Sequence, residues 1–159
     1  MEKLKNYIGG ELIDPHANQW LDNIEPATGR VYSLIPDSDE RDVEMAVEAA
    51  REAFPAWSDM PIEKRSAILL RIADLIDAQM DQLATAESID NGKPVSLARE
   101  IDIPRASANF RFFAQAITQF HSETYDMGSR GFNYTLRRPI GVAGCISPWN
   151  LPLYLFSWK

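Results

Sequence analysis

The chain has 159 residues, 45% of them hydrophobic and 25% charged, and 16 Lys and Arg against 23 Asp and Glu give a formal net charge of −7. This length and composition are typical of a globular domain with a buried core, and a single cysteine excludes a disulfide-stapled fold. The acidic balance argues against a nucleic-acid partner, which would need a basic surface, and no stretch approaches the roughly 20 apolar residues of a membrane-spanning helix.

The amino terminus also bears on location. The first six residues carry charges, and no apolar run follows them. We therefore expect no secretory leader. The expected protein is cytoplasmic, has no membrane partner and keeps its thiol reduced.

Residues 6–35 predict short strands joined by turns. Gly9-Gly10, between two apolar dipeptides, is typical of a β-hairpin. Residues 26–29, Pro-Ala-Thr-Gly, predict a turn between strands at 20–24 and 31–35.

Apolar residues at helical spacing predict helices over residues 38–120. Ser38 is the predicted N-cap of the first helix, which Pro55 should interrupt because proline removes a backbone hydrogen bond. Pro61 suits the first turn of the second helix.

Two further helices are expected before residue 120. The third covers residues 82–89 and should end at Asn91-Gly92, because glycine adopts the left-handed conformation that closes many helices. The fourth covers residues 103–120, and Pro104 inside it should kink or restart it.

The last part of the chain returns to strand patterns. Alternation around Phe132, Tyr134 and Leu136 predicts a half-buried strand, and the apolar run at 140–146 predicts a strand buried on both faces. A helix should begin near Leu153. One parallel strand and the start of one helix cannot form a sheet, so we expect partner strands from elsewhere or a segment that is not packed as its pattern intends.

Five short strings resemble landmarks of the NAD(P)-dependent aldehyde dehydrogenase superfamily, in that family's order. They lie at residues 6–10, 26–29, 46–51, 90–94 and 141–152. Residues 102–105, 109–111 and 149–153 look most like the branch that acts on 2-aminomuconic and 2-hydroxymuconic semialdehydes.

This resemblance implies an α/β fold: the N-terminal part of the aldehyde dehydrogenase fold, truncated. Residues 1–120 would form the helical part of the cofactor-binding domain with its N-terminal hairpin. Residues 121–139 would form one limb of an oligomerisation β-arm, and 140–159 the first strand and turn of the Rossmann-like unit. The catalytic domain would be absent, and the parent would be a homo-oligomer.

The resemblance also assigns an oxyanion hole and a cofactor turn. Asn150 matches the asparagine whose neutral amide stabilises a developing alkoxide. The pattern alone favours a cap for the helix that follows, and the resemblance of residues 148–152 to the family string reverses that preference. By resemblance, the turn before it touches the ribose and nicotinamide of NAD, with NADP also possible. The residues of that turn are Ile146, Ser147, Pro148 and Trp149.

Two cationic residues are candidates for substrate chemistry. Lys159 matches a lysine of a proton relay in betaine-aldehyde members, or is a surface lysine. Arg105 is the candidate ligand for a muconic carboxylate, since a guanidinium binds that group with two parallel hydrogen bonds. The alternative for Arg105 is an ion pair with Asp102 or another acid.

A monovalent cation site is implied at Asn23, Ile24 and Asp90, where some family members use backbone carbonyls and one carboxylate. The alternative is a turn beside a carboxylate at a helix end. His16 and His121 are isolated, so no metal is assigned to them.

Cys145 is not the expected nucleophile. The family nucleophile lies in a Gly-Gln-x-Cys loop and the general base in a Glu-Leu-Gly-Gly string, and this sequence has neither. Because Cys145 lies in an apolar run, we expect a buried core thiol.

The resulting hypothesis is the N-terminal part of an NAD-dependent aldehyde dehydrogenase, inactive alone, whose parent oxidises an aldehyde to its acid. A muconic semialdehyde is the expected substrate, with betaine aldehyde or another small aldehyde as alternatives. A second hypothesis, from another class, is a non-catalytic association module that pairs with itself or with a full-length subunit.

Overall fold

The computed structural model describes residues 1–159. The strands are β1 Glu2–Lys3, β2 Asn6–Ile8, β3 Glu11–Ile13, β4 Trp20–Glu25, β5 Arg30–Pro36, β6 Thr124–Asp126 and β7 Phe132–Tyr134. The α-helices are α1 Glu40–Asp59, α2 Ile62–Ala78, α3 Met80–Asn91, α4 Val95–Leu97, α5 Ile103–Ala116 and α6 Pro152–Phe156. A π-helical turn covers Ala98–Asp102, and 3-10 turns cover Ile117–Gln119 and Gly128–Arg130.

The N-terminal strands form as predicted. β2 and β3 pair as an antiparallel hairpin around Gly9-Gly10. β4 and β5 pair antiparallel across the predicted turn at 26–29, with an irregularity between Asn23 and Ile24. β1 adds to the outer side of β5 in a parallel register.

α1 begins one residue later and ends later than predicted. Asp39 is the N-cap, and it forms a capping box with Asp42, while the Ser38 hydroxyl accepts a hydrogen bond from Asn6. The predicted break at Pro55 is wrong, because the helix continues to Asp59. Because Pro55 has no N–H, only the carbonyl of Arg51 lacks its helical hydrogen bond. Arg51 is exposed to solvent, so the helix tolerates the proline.

The next three helix boundaries follow the sequence signals. Pro61 is the N-cap residue of α2. α3 ends at Gly92, whose φ of 80° is left-handed. The restart expected at Pro104 takes the form of the π-turn, in which the Ile103 N–H donates to the Ala98 carbonyl, five residues earlier.

The core lies among α2, α3, the π-turn and α5. Its buried members are Ile76, Ala84, Ala98 and Ile103, and the partly buried residues packed against them include Leu83, Phe110 and Leu153. None of the helices has the length and apolar character needed to cross a membrane.

The C-terminal strand predictions need correction. β7 covers only Phe132–Tyr134 and is exposed, paired with β6. Residues 140–146 form no strand, and Cys145 is exposed, so the predicted core thiol is wrong. The reason is physical: a strand satisfies its backbone only through neighbouring strands, and no strand of this chain pairs with 140–146.

Candidate functional site

Asn150 lies in the turn that leads into α6, with a solvent-exposed side chain. The N-cap residue of α6 is Leu151, and no side chain caps the helix. Asn150 therefore does not perform the capping role that the pattern alone allowed. Its amide remains free to donate to another group.

The predicted cofactor turn is open on its apolar side. Ile146 and Trp149 are 89% and 79% exposed. The Ser147 hydroxyl oxygen, in contrast, is buried and has no hydrogen-bond partner. An unpaired buried hydroxyl beside exposed apolar side chains fits a ligand with both hydroxyl groups and flat rings, as a nicotinamide nucleotide has.

A buried hydrogen bond fixes α6 against α5. The Asn109 side-chain amide donates to the Ser157 hydroxyl over 2.9 Å, and both residues are buried. The rings of Phe113 and Trp158 pack edge to face with centroids 6.1 Å apart. Because α6 begins just after the turn that contains Asn150, these contacts hold the turn near α5. No sequence pattern indicated them, since Asn109 and Ser157 are 48 positions apart and Phe113 and Trp158 are similarly distant along the chain.

Arg105 opens onto a cavity of about 420 Å³ between the start of α5 and α6. Its walls are formed by Glu100, Ile101, Pro104, Arg105, Ala108 and Tyr154. The Arg105 guanidinium lies 5.9 Å from the ring centre of Tyr154, a cation–π arrangement. Among the ion pairs of the structure Arg105 has none, so the alternative pairing with Asp102 does not form.

Asp102 is instead part of a buried charged cluster that sequence reasoning missed. Lys93 Nζ donates to Glu87 Oε1 over 2.7 Å and also to Asp102 Oδ2. Burial raises the pKa of Glu87, whereas the pKa of Lys93 rises because its hydrogen bonds to both carboxyls outweigh the effect of burial. The three residues follow no helical spacing, so no pattern in the sequence indicated that they meet.

Two of the three residues of the predicted cation site, Asn23 and Asp90, are connected through a tyrosine, whereas Ile24 takes no part in this link. The Asn23 amide donates to the Tyr32 hydroxyl over 2.8 Å, and that hydroxyl donates to Asp90 Oδ1 over 3.0 Å. Burial and the bond to Asp90 raise the pKa of Tyr32. The structure contains no group of three or more His, Cys, Asp or Glu that could hold a metal; a cation held by backbone carbonyls stays a prediction.

The structure brings some predicted site residues together and separates others. Arg105 shares one cavity with Tyr154, which lies four residues after Asn150 in the chain. None of the residues 146–150 lines this cavity. Lys159 is exposed and forms no ion pair. Arg111 is paired with Asp74 and Asp77 over 2.8 and 2.6 Å, which leaves Arg105 as the free guanidinium of α5.

The sequence profile described as the aldehyde dehydrogenase family matches residues 12–159. The chain is 50% identical over 157 residues to a 2-aminomuconic semialdehyde dehydrogenase of Mus musculus, covering 98% of this chain and 32% of that protein. It is 42% identical over 164 residues to a 2-hydroxymuconic semialdehyde dehydrogenase of Pseudomonas sp. (strain CF600), covering 100% of this chain and 34% of that protein.

A solved structure gives the same relationship in three dimensions. The NAD⁺ complex of an aldehyde dehydrogenase from Bacillus cereus matches with a TM-score of 0.95 and 35% identity, covering 99% of this chain and 32% of that one. The chain thus spans about a third of the length of the relatives that it matches.

Proposed function

This chain belongs to the aldehyde dehydrogenase family, and from that premise we propose that it is the N-terminal part of an NAD-dependent enzyme that oxidises a carboxylate-bearing semialdehyde, of the muconic type, to its acid. Its elements form the N-terminal portion of the family's fold, a mixed arrangement of helices and strands. The observation that carries the substrate proposal is the unpaired guanidinium of Arg105 in a cavity beside Tyr154.

Asn150 is the proposed oxyanion donor. Attack of a thiolate on the aldehyde carbonyl places negative charge on its oxygen, and a neutral side-chain amide stabilises that charge without titrating. Leu151 occupies the cap position of α6, so the amide is not committed to the helix.

The turn before Asn150 is the proposed binding site for the nicotinamide cofactor, NAD, with NADP as the alternative. Ser147 would supply a hydroxyl, and Ile146, Pro148 and Trp149 would supply the apolar wall. When bound, the cofactor would supply the hydride acceptor that the oxidation needs. Lys159 is the proposed member of a proton relay, and backbone carbonyls of Asn23 and Ile24 with Asp90 would hold a monovalent cation.

Arg105 is the proposed ligand of the substrate carboxylate. Its guanidinium presents several N–H donors in one plane, which match the two oxygens of a carboxylate. Tyr154 supports one face of the guanidinium, so the donors at its edge stay available. A betaine aldehyde carries positive charge and would be repelled by the Arg105 guanidinium, so this group favours the anionic semialdehyde over that alternative.

The test uses the whole protein, that is, the full-length enzyme of which this chain would be the N-terminal part. Wild type should form NADH from a muconic semialdehyde, and Asn150→Ala should lower kcat by about 100- to 1,000-fold, because one oxyanion donor is worth that much. Arg105→Leu should lower kcat/KM for the carboxylate-bearing aldehyde by about 10- to 100-fold, the value of a charged hydrogen bond. An Asn150→Ala enzyme with wild-type kcat would contradict the oxyanion assignment.

We propose further that the 159-residue chain alone has no turnover, because it contains neither a Gly-Gln-x-Cys nor a Glu-Leu-Gly-Gly string. Purified chain incubated with NAD⁺ and a semialdehyde should give no NADH absorbance. Measurable turnover would overturn this proposal, and Cys145→Ala would then establish whether the exposed thiol is responsible.

One observation also favours an association function. The β6–β7 hairpin exposes apolar side chains, with Phe132 and Tyr134 at 69% and 56% exposure. Because β6 and β7 pair only with each other, the outer edges of this hairpin are free to pair with another subunit in a homo-oligomer. Size-exclusion chromatography with light scattering should detect a dimer or larger species, and a monomer at every concentration would contradict it.

A further inference from the structure

The buried cluster of Lys93, Glu87 and Asp102 has no role in the proposed function so far. The Lys93 side chain is 11% exposed, and both carboxyl side chains are 3% exposed. Charges removed from water in this way are costly unless each is paired, so the cluster fixes its members in one arrangement. It joins α3, through Glu87, to the end of the π-turn, through Asp102.

The π-turn is the part of the helical segment that most needs such fixation. Its bond from the Ile103 N–H to the Ala98 carbonyl spans five residues, a wider turn than an α-helix makes. Pro104 follows at once and has no N–H to donate. The backbone hydrogen bonds at the start of α5 are therefore irregular, and side-chain contacts must determine its direction.

Arg105 depends on that direction. It lies one helical turn after Asp102, with the fully buried Ile103 between them. Its guanidinium has no ion pair, and Tyr154, with its ring centre 5.9 Å away, is an aromatic support and not a directional bond. No ion pair in the cavity holds the guanidinium in place, so its position depends mainly on the backbone that carries it.

We propose that Asp102, held by Lys93, is a positioning residue for Arg105: the buried ion pair fixes the π-turn so that the guanidinium faces the carboxylate of the substrate. This inference rests on the proposed function, because it acts through the substrate role of Arg105. Asp102 itself is buried and does not line the cavity, so it does not touch the substrate.

The test compares two aldehydes in the whole protein. For each variant, kcat/KM is measured with a muconic semialdehyde and with a neutral aldehyde of similar size, and their ratio reports the use of the substrate carboxylate. Asp102→Asn should lower this ratio by about 10- to 100-fold, since small displacements of a positioned group have effects of that order. The change should lie mainly in KM for the carboxylate-bearing aldehyde.

Asp102→Glu covers the case in which Asp102→Asn fails to fold. It retains the negative charge beside Lys93, so no ammonium is left unpaired, but it lengthens the side chain by one methylene. The ratio should fall by a smaller factor, about threefold to tenfold. The matched control is Ser66→Ala, which removes a buried hydrogen bond of 2.7 Å to the Ala114 carbonyl, at the other end of α5, and should leave the ratio unchanged.

The outcomes separate the two proposals. An unchanged ratio in the folded Asp102 variants would overturn the positioning role, and so would an equal loss with both aldehydes. If Arg105→Leu leaves the ratio at its wild-type value, the substrate role of Arg105 is wrong, and the positioning role is wrong with it. A wild-type protein that oxidises neither aldehyde would overturn the proposed function itself.

Discussion

The helical region and the C-terminal segment differ in what their apolar residues do. In the helices, Ala84 and Ile103 are fully buried, whereas in the last part of the chain Ile140 and Ile146 are 103% and 89% exposed. Both regions carry patterns typical of buried structure. Helices complete their backbone hydrogen bonds internally and then pack, but a strand requires a neighbour before it forms at all.

The difference shows which part of the chain packs against other parts of the same chain. The helices α2, α3 and α5 bury one another and produce the core, and α6 joins them through Leu153. Residues 140–146 have no strand of the chain beside them. The free energy of unfolding should therefore respond strongly to mutations in the first region and hardly at all to mutations in the second.

The largest expected effect comes from a matched pair of isoleucines, Ile103→Ala in the core and Ile146→Ala in the exposed segment. Ile103→Ala should lower the free energy of unfolding by about 2–5 kcal/mol, because it removes buried methyl groups and leaves a cavity. Ile146→Ala should change it by less than about 0.5 kcal/mol. Urea unfolding followed by circular dichroism measures both, and equal losses would show that residues 140–146 are buried in solution.

Local signals predicted much of the fold. The hairpin at Gly9-Gly10, the turn at 26–29, the end of α3 at Gly92 and the restart at Pro104 each depend on residues within a few positions of one another. Pro55 shows the limit of the local rule, because a proline near the end of a solvent-exposed helix removes a single hydrogen bond.

Non-local features could not be predicted in the same way. The apolar run at 140–146 has the composition of a buried strand, but whether a strand forms depends on partners that composition does not reveal. The links from Asn109 to Ser157 and from Lys93 to Asp102 join residues with no common periodicity. At the site, the sequence indicated Asn150 and Arg105 through family resemblance, while their supporting contacts emerged only from the structure.

The second prediction concerns the hydrogen bond that ties α6 to the core. Asn109→Ala and Ser157→Ala should each lower the free energy of unfolding by about 1–3 kcal/mol, because each leaves a buried partner unsatisfied. In a double-mutant cycle, their coupling energy should be about 1 kcal/mol. Strictly additive losses would show that the two side chains do not interact in solution.

The third prediction compares two glycines, one in each region. Gly92 has a φ of 80°, and a Cβ there would lie 3.1 Å from the Cβ of Pro26. Gly92→Ala should therefore cost about 1–2 kcal/mol, since an L-residue is strained in this conformation. Gly144 has an ordinary φ and no atom near an added Cβ, so Gly144→Ala should change unfolding by less than about 0.5 kcal/mol. Comparable losses would contradict the structure at one of these turns.

The smallest expected effect is a pH-dependent difference at Glu87. Burial, together with the neighbouring Asp102 carboxyl, raises its pKa above the ordinary value of 4.5, against the opposing effect of Lys93. The folded chain therefore binds more protons at this site than the unfolded chain, so the contribution of Glu87 to stability falls as pH rises above about 4.5. Glu87→Gln keeps the size and hydrogen bonds of the neutral carboxyl but cannot ionise.

Urea unfolding of wild type and Glu87→Gln across pH 4–8 tests the direction of this pH dependence. The free energy of unfolding of the variant should rise relative to wild type as pH increases, because only the wild-type carboxyl must either keep its proton or become a buried anion. Lys93 and Asp102 are the charged groups that face Glu87, and both remain in the variant. A constant difference would mean that Glu87 titrates alike in the folded and unfolded chains.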